Sequence, residues 1–336
     1  MATHKLRFNI ILINLLLMLL MIGCSNKQQA TNQQQPANQQ QATDQQQITD
    51  QQQAADQQQI TDQQQATDQQ QATDQQQPAD QLTDALQIQV LKVGKADAIV
   101  LQCGSETMVI DCGEEEDGQE ILDYLKSNGV QKIDTMIITH FDKDHVGGAD
   151  TVVAGIPVDR LLLPAYVSTG KQYKAFVAAY EAAGIEPESV TETLSFDFGG
   201  EDGASVTVEP PASYEIPDTD DEYDNDFSLI TTIDFNGKRF VFAGDIEEAR
   251  IREWLAGGTV GRCDVLKVPH HGVYNDALAE LFDALQPKYA IICDSKKNPA
   301  DDRTLELLKQ VGAECLQTMN GDITIRCTGQ NIEIHQ

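Results

Sequence analysis

The segment His140-Phe141-Asp142-Lys143-Asp144-His145 packs two histidines and two carboxylates into six residues. Carboxylates crowded into a tight loop repel one another unless a cation sits among them. The chain has six histidines. His4 lies near one end and His335 near the other, and the remaining four, His140, His145, His270 and His271, fall in just two segments. A lone histidine is more often structural than a ligand. Paired histidine loops with carboxylates nearby reverse that expectation and point to a metal site. A third segment, Phe240-Val241-Phe242-Ala243-Gly244-Asp245, ends an apolar run on a carboxylate. Asp245 reads either as a further ligand or as the N-cap of a helix beginning at Ile246.

Each of these segments directly follows a predicted strand, and loops leaving strand ends are where sites are usually built. Residues 133–139 read as a buried strand delivering the chain to His140, and residues 265–268 as a strand ending at His270-His271-Gly272. Residues 227–235 and 239–243 form a predicted hairpin around Asn236-Gly237. Residues 86–93 alternate as a strand with one buried face. Residues 98–102 and 107–111 flank Gly104-Ser105 as a second hairpin. Ile121, Leu122 and Leu125 give helical spacing over Gly118–Ser127, with a stop at Gly129. Further helices are expected near residues 173–183, 246–255, 277–285 and 305–311. Further strands are expected at 161–163, 289–293, 323–327 and 332–334. Hairpins and crossovers intermixed in this way argue for a layered α/β domain, and two stacked mixed sheets flanked by helices would fit.

Taken in order, the motifs resemble the metallo-β-lactamase superfamily. Thr139-His140-Phe141-Asp142-Lys143-Asp144-His145-Val146-Gly147-Gly148 is similar to its His-x-His-x-Asp-His loop, with Asp142 at the second histidine position. That variant is similar to the C-terminal hydrolase domain of the competence DNA-channel protein ComEC and its stand-alone relatives. Val109-Ile110-Asp111-Cys112-Gly113 resembles its early Asp-x-Gly turn, and Asp224-Asn225-Asp226-Phe227-Ser228-Leu229, Phe242-Ala243-Gly244-Asp245, Leu266-Lys267-Val268-Pro269-His270-His271-Gly272 and Thr318-Met319-Asn320-Gly321-Asp322-Ile323 resemble its later motifs.

The resemblance spans about residues 86–327 and implies an α/β fold, the four-layer αββα sandwich of two mixed β-sheets. It also implies two divalent metal ions, zinc or manganese, and a metal-bound hydroxide as nucleophile. One ion would be held by His140, Asp142 and Asp245. The other would be held by Asp144, His145, Asp245 and His270, with His271 as the alternative to His270, so that Asp245 bridges. Asp142 and Asp144 would serve catalysis. Asp111 would support the loop or accept a proton, the plainer reading being a turn residue beside Gly113. Asn225 falls near a position where many members carry another ligand, and would orient substrate or water. Val273 follows Gly272 where relatives usually carry Ser. So many carboxylates make a hard ligand set, which admits manganese beside zinc.

The rest of the chain sets the context. His4, Lys5 and Arg7 precede an apolar run ending at Ile22-Gly23-Cys24. This pattern reads as an export signal over residues 1–23, with Cys24 as the lipidated first residue of the mature chain. The run is too short for a span, which needs roughly 20 apolar residues. Residues 24–81 carry a polar six-residue repeat such as Ala42-Thr43-Asp44-Gln45-Gln46-Gln47. With little to bury, it is expected to be a disordered tether. Residues 82–336 remain as the catalytic domain.

The chain carries 53 acids against 23 bases, a net charge of −30. Such a balance argues against strong nucleic-acid binding. The seven cysteines include no CxxC pair. Apart from Cys24 they are expected as buried free thiols.

The sequence therefore leads to an extracytoplasmic, membrane-anchored hydrolase acting on a small-molecule or cell-envelope phosphodiester. The rival readings are a lactone or acyl hydrolase on the same fold and a surface binding module with a relic metal site. A β-lactamase is not expected, because the histidine set is incomplete.

Overall fold

The computed structural model describes residues 85–215 and 223–336. The expected export signal, Cys24, the repeat tether and residues 216–222 lie outside the described residues. No helix among the described residues is long and apolar enough to cross a membrane.

Alternation along the strands sorts apolar side chains into three clusters. In β2 (Ala98–Cys103), Ile99 and Leu101 join one cluster while Ala98 and Val100 join another. In β10 (Lys238–Phe242), Phe240 and Phe242 join the first cluster and Val241 joins a third. A strand that buries both faces has a covering layer on each side. The first cluster lies between two sheets, and the other two lie under helices on their outer faces, which gives four layers.

One sheet has eight strands among the described residues, in the order β15-β14-β1-β2-β3-β4-β5-β6. These are β1 (Ala85–Val90), β2, β3 (Glu106–Cys112), β4 (Thr135–Ile137), β5 (Leu161–Pro164), β6 (Glu188–Val190), β14 (Ile323–Thr328) and β15 (Asn331–His335). The other sheet has seven, in the order β13-β12-β11-β10-β9-β8-β7. Its members are β7 (Leu194–Phe198), β8 (Ala204–Glu209), β9 (Ile230–Phe235), β10, β11 (Val265–Lys267), β12 (Tyr289–Ile292) and β13 (Glu314–Gln317). Both sheets are mixed: β3 to β6 and β10 to β13 run parallel, and the rest pair antiparallel. This is the αββα sandwich implied by the motifs.

Parallel neighbours need crossovers, and helices supply them. α1 (Gly118–Ser127) joins β3 to β4. α2 (Lys143–Val146) and α3 (Ala149–Gly155) join β4 to β5, and α4 (Lys171–Ala183) joins β5 to β6. Ile121, Leu125, Val152 and Phe176 from these helices pack on Val109 and Met136 of the first sheet. On the second sheet, α6 (Glu248–Ala256), α7 (Leu278–Leu285) and α8 (Asp302–Gln310) do the same with Ile251, Trp254, Phe282 and Leu308.

The structure departs from the sequence expectation in places that bear on the site. The strand expected over 227–235 begins only at Ile230, and Tyr223–Asp226 form a short helix, α5. The strand before His140 is confined to Thr135–Ile137, so Ile138 and Thr139 already belong to the loop. The β7–β8 hairpin was not anticipated, although Ala204, Val206 and Val208 alternate cleanly into the inter-sheet core.

Phe240 is wholly buried between the sheets. Phe240→Ala is expected to destabilise the domain by about 3–5 kcal/mol, the usual cost of a large-to-small change in a packed core. Denaturant unfolding measures this, with exposed Val167→Ser, expected within about 0.5 kcal/mol of wild type, as the control.

Candidate metal centre

Four parallel strands end at one place, at the upper edge of the inter-sheet core. β3 carries Asp111 as its penultimate residue, β4 leads to Thr139 and His140, β10 leads to Asp245, and β11 leads through Lys267 to His271. The carboxyl ends of parallel strands are the usual site-bearing edge of α/β sheets.

Local backbone exceptions aim the side chains. Ala98 pairs with Cys112 and Ile99 with Ile110, so Asp111 is the extra residue of a β-bulge. Its φ is 59°, unusual for a residue with a side chain. The bulge also switches faces: Met108 and Ile110 face the other sheet, whereas Cys112 joins Val109 under the helices. His270 and His271 are consecutive left-handed residues, with φ of 45° and 52°. Gly244 has φ 55°, and a Cβ there would come within 2.7 Å of the Ser228 Cβ. A residue larger than glycine would displace the turn that presents Asp245.

Asp111 is the fixed point of the first loop. It accepts hydrogen bonds from the Thr139 amide and the Thr139 hydroxyl, both at 2.7 Å, and its Oδ2 lies 2.8 Å from His145 Nδ1. The Nδ1 of His140 is 3.1 Å from the Thr139 hydroxyl and 3.3 Å from that of Ser228. His271 Nδ1 donates to the Cys293 carbonyl at 2.8 Å. All three rings are thus held through Nδ1, which turns Nε2 inward. Second-partner contacts of this kind orient metal-ligating imidazoles.

The inward Nε2 atoms of His140, His145 and His271 are buried and make no hydrogen bond. Carboxylate oxygens face them instead. Asp245 Oδ2 is 3.2 Å from His145 Nε2 and 3.0 Å from His271 Nε2, and Asp144 Oδ2 is 3.5 Å from His271 Nε2. Ligand atoms of His140, His145 and Asp245 lie within 4.8 Å of one another, as do those of Asp144, His145 and His271. Three orphaned ring nitrogens facing carboxylates form a donor set that fits divalent cations.

The electrostatics express the same demand. Burial alone would push the His145 and His271 rings towards neutrality, but Asp245, with Asp111 beside His145 and Asp144 beside His271, holds both pKa values above the ordinary range. Burial likewise opposes ionisation of Asp245, yet His145, His271 and Lys267 keep its carboxyl well below the usual value. Burial is also overcome at Asp144, which His271 and His145 hold low. His140 goes the other way: burial and the neighbouring His145 charge push its pKa well down. Burial raises Asp111, with His145 offsetting part of the rise. Asp142 is pushed up to about 6 by burial, with His145 opposing and Asp144 adding.

The expected residues divide as follows. His140, Asp144, His145, Asp245 and Asp111 come together. Asp142 sits at the open side, with Oδ2 3.9 Å from His140 Nε2 and the side chain 47% exposed. The preference for His270 over His271 is corrected. His270 turns outward and places Nδ1 2.7 Å from Glu247 Oε1. The paired left-handed residues decide which ring points in, and the motif alone does not reveal that. Asn225 also leaves the centre, donating to Glu247 Oε1 at 3.1 Å. Asp245 is not a helix cap: α6 begins at Glu248, and Glu247 precedes it.

Two buried residues escaped the sequence reading. Lys267 Nζ donates to the Gly244 carbonyl at 2.9 Å and pairs with Asp245 Oδ1 at 3.0 Å and Asp97 Oδ2 at 2.5 Å. A lysine inside an otherwise apolar strand, Val265-Leu266-Lys267-Val268, was the available signal. Asp97, in the loop after β1, offered none.

Residues 91–215 match the sequence model of the Metallo-beta-lactamase superfamily. The described region, with its two-sheet sandwich and convergent His/Asp cluster, contains a metallo-beta-lactamase superfamily domain, and members of that superfamily are mostly metal-dependent hydrolases. Among curated proteins the chain is similar to ComE operon protein 3 of Bacillus subtilis, at 31% identity over 62% of this chain and 26% of that protein. It is also similar to Recombination protein 2 of Haemophilus influenzae, at 26% identity over 63% of this chain and 25% of that one. Competence protein ComA of Neisseria gonorrhoeae matches at 21% identity over 70% of this chain and 31% of that one. The matched region thus spans between a quarter and a third of each relative's length. Among solved structures, the metallo-beta-lactamase fold protein YhfI from Bacillus subtilis aligns with TM-score 0.45 and 10% identity, covering 75% of this chain and all of that one.

A pH dependence follows for the chelator-treated protein. His145 and His271 have folded pKa values raised above the ordinary 6.5. The stability they contribute is complete below pH 6.5 and is lost as pH rises through the folded values. His140, with a depressed value, opposes only below that pH. The melting temperature of metal-free protein is therefore expected to fall as pH rises above neutrality, and saturating manganese or zinc, which displaces the ring protons, should flatten that fall. Parallel thermal melts across pH, with and without metal, check this; superimposable curves would contradict it.

Proposed function

We propose that the domain is a metal-dependent hydrolase of phosphodiesters, carried outside the cytoplasm on a lipid anchor at Cys24 and a tether of residues 24–81. The observation that carries the hydrolase reading is the convergence of three unpartnered histidine Nε2 atoms on Asp144 and Asp245. The phosphodiester preference draws support from the carboxylate-rich donor set, which suits hard cations. It also draws on the relatives' names, which attach to competence and recombination. The net charge of −30 favours a small or envelope-linked phosphodiester over capture of a long nucleic acid.

His140, His145, His271, Asp144 and Asp245 would hold the ions, with Asp142 completing the open side. Bound divalent ions would supply an activated water and neutralise charge on the oxygen under attack. The chain's own groups do the rest. Asp111 keeps His145 in one orientation. Asp142, the most exposed carboxylate of the cluster, can take a proton at Oδ2 from the attacking water and return it to the leaving oxygen. Thr139 and Ser228 fix the His140 ring.

Bis-(p-nitrophenyl) phosphate turnover with manganese or zinc tests the assignment. Asp144→Ala is expected to lose about 100-fold or more in rate, at least the effect of disturbing a metal-orienting residue. Equal turnover by the variant would remove the reading, and preferential turnover of a lactone panel run alongside would move the substrate class to acyl esters. For the anchor, labelled fatty acid should attach to the wild-type chain and not to Cys24→Ser; equal labelling of both would exclude it.

A further inference from the structure

We propose that Lys267 is a covalently attached third cation of the centre, a positioning residue whose ammonium holds Asp245 so that Oδ2 alone faces the histidines. The inference rests on the metal-site reading above and concerns a residue with no role in it so far.

Leu266 packs under the helices, so Lys267, one residue on, points to the opposite side, into the space between the sheets. It is 1% exposed. Its Nζ meets three oxygens: Asp97 Oδ2, Asp245 Oδ1 and the Gly244 carbonyl, at 2.5, 3.0 and 2.9 Å. An all-oxygen cage of this kind would accept a small hard cation if the ammonium were absent. The ammonium occupies one oxygen of Asp245 and leaves Oδ2 facing His145 and His271 at 3.2 and 3.0 Å.

Asp97 shows why a fixed cation is needed. It is buried, its Oδ1 has no hydrogen-bond partner, and its ligand atoms lie within 4.8 Å of those of Asp111 and His145. That trio is a candidate ion site in its own right, and the Lys267 ammonium closes it by pairing with Asp97. A neutral residue at 267 would leave a buried carboxylate uncompensated, which is strongly unfavourable, and would let Asp245 turn Oδ1 towards the centre.

The test uses the full chain, stripped with chelator and titrated with manganese or zinc chloride by calorimetry. Lys267→Met should weaken metal binding by about tenfold or more, the range seen when a residue orienting a ligand is lost, with circular dichroism confirming the fold. Lys267→Ala should melt at lower temperature than wild type in metal-free buffer. Ammonium or methylammonium chloride should recover part of that loss, and tetramethylammonium, too large for the cage, should not. Folded Lys267→Met with wild-type metal affinity, or a Lys267→Ala melt indifferent to ammonium, overturns the proposal. Should neither variant fold, Asp97→Asn decides: it places the whole ammonium charge on Asp245, so weakened manganese binding supports the inference and unchanged binding sinks it. A wild-type chain that binds no metal would sink the hydrolase reading instead, while the ammonium recovery would still judge Lys267.

Discussion

The structure turns on the burial of carboxylates of one sign beside each other. Asp97, Asp111 and Asp245 are almost fully removed from solvent, and Asp144 lies against them. Unpaired, such groups would cost more than the domain's net stability provides. Every neighbour reads as an answer to that cost. Lys267 pairs with two of them through one ammonium, His145 and His271 are held towards their protonated forms by the neighbouring carboxylates, and the orphaned Nε2 atoms mark where ions would take over from those protons. The sandwich is thereby tied to its chemistry, since the same charges that destabilise an empty core attract the ions that the superfamily typically binds.

The scaffold meets this demand by bringing two sheets to one edge. Hydrophobic alternation along the strands stacks the sheets face to face. The parallel strands then deliver the first loop from one sheet and Asp245, Lys267 and His271 from the other. Neither sheet holds a full donor set alone. Cohesion of the inter-sheet core and assembly of the centre are therefore one event, and residues as remote as Phe240 contribute to both.

Much of this was legible in the sequence. The αββα sandwich followed from intermixed hairpins and crossovers once the ordered motifs were recognised, and most elements fell within a few residues of their predicted limits. His140, Asp144, His145 and Asp245 were readable because ligand-type residues clustered after apolar runs. The choice between His270 and His271 was not, because it depends on two left-handed residues in succession, and propensity gives no hint of a conformation that the surrounding fold must impose. The Asn225–Glu247 contact was not legible either, because Glu247 carries no motif signal. Lys267 was overlooked for the opposite reason: a strand that reads as buried made its charge look like noise, when burial was what made the charge informative. The six cysteines of the described domain are free thiols, as their apolar surroundings suggested.

The bulge at Asp111 has a genetic consequence. Removing that one codon would leave β2 and β3 to pair as an unbroken antiparallel ladder, relieved of a left-handed residue, so the sheet itself would survive the deletion. Cys112 would keep its place opposite Ala98 under the helices, but His145 would lose its anchor. The centre is thus stored as an irregularity that a more regular protein would erase, and a lineage drifting towards an ideal sheet would lose its chemistry before its fold.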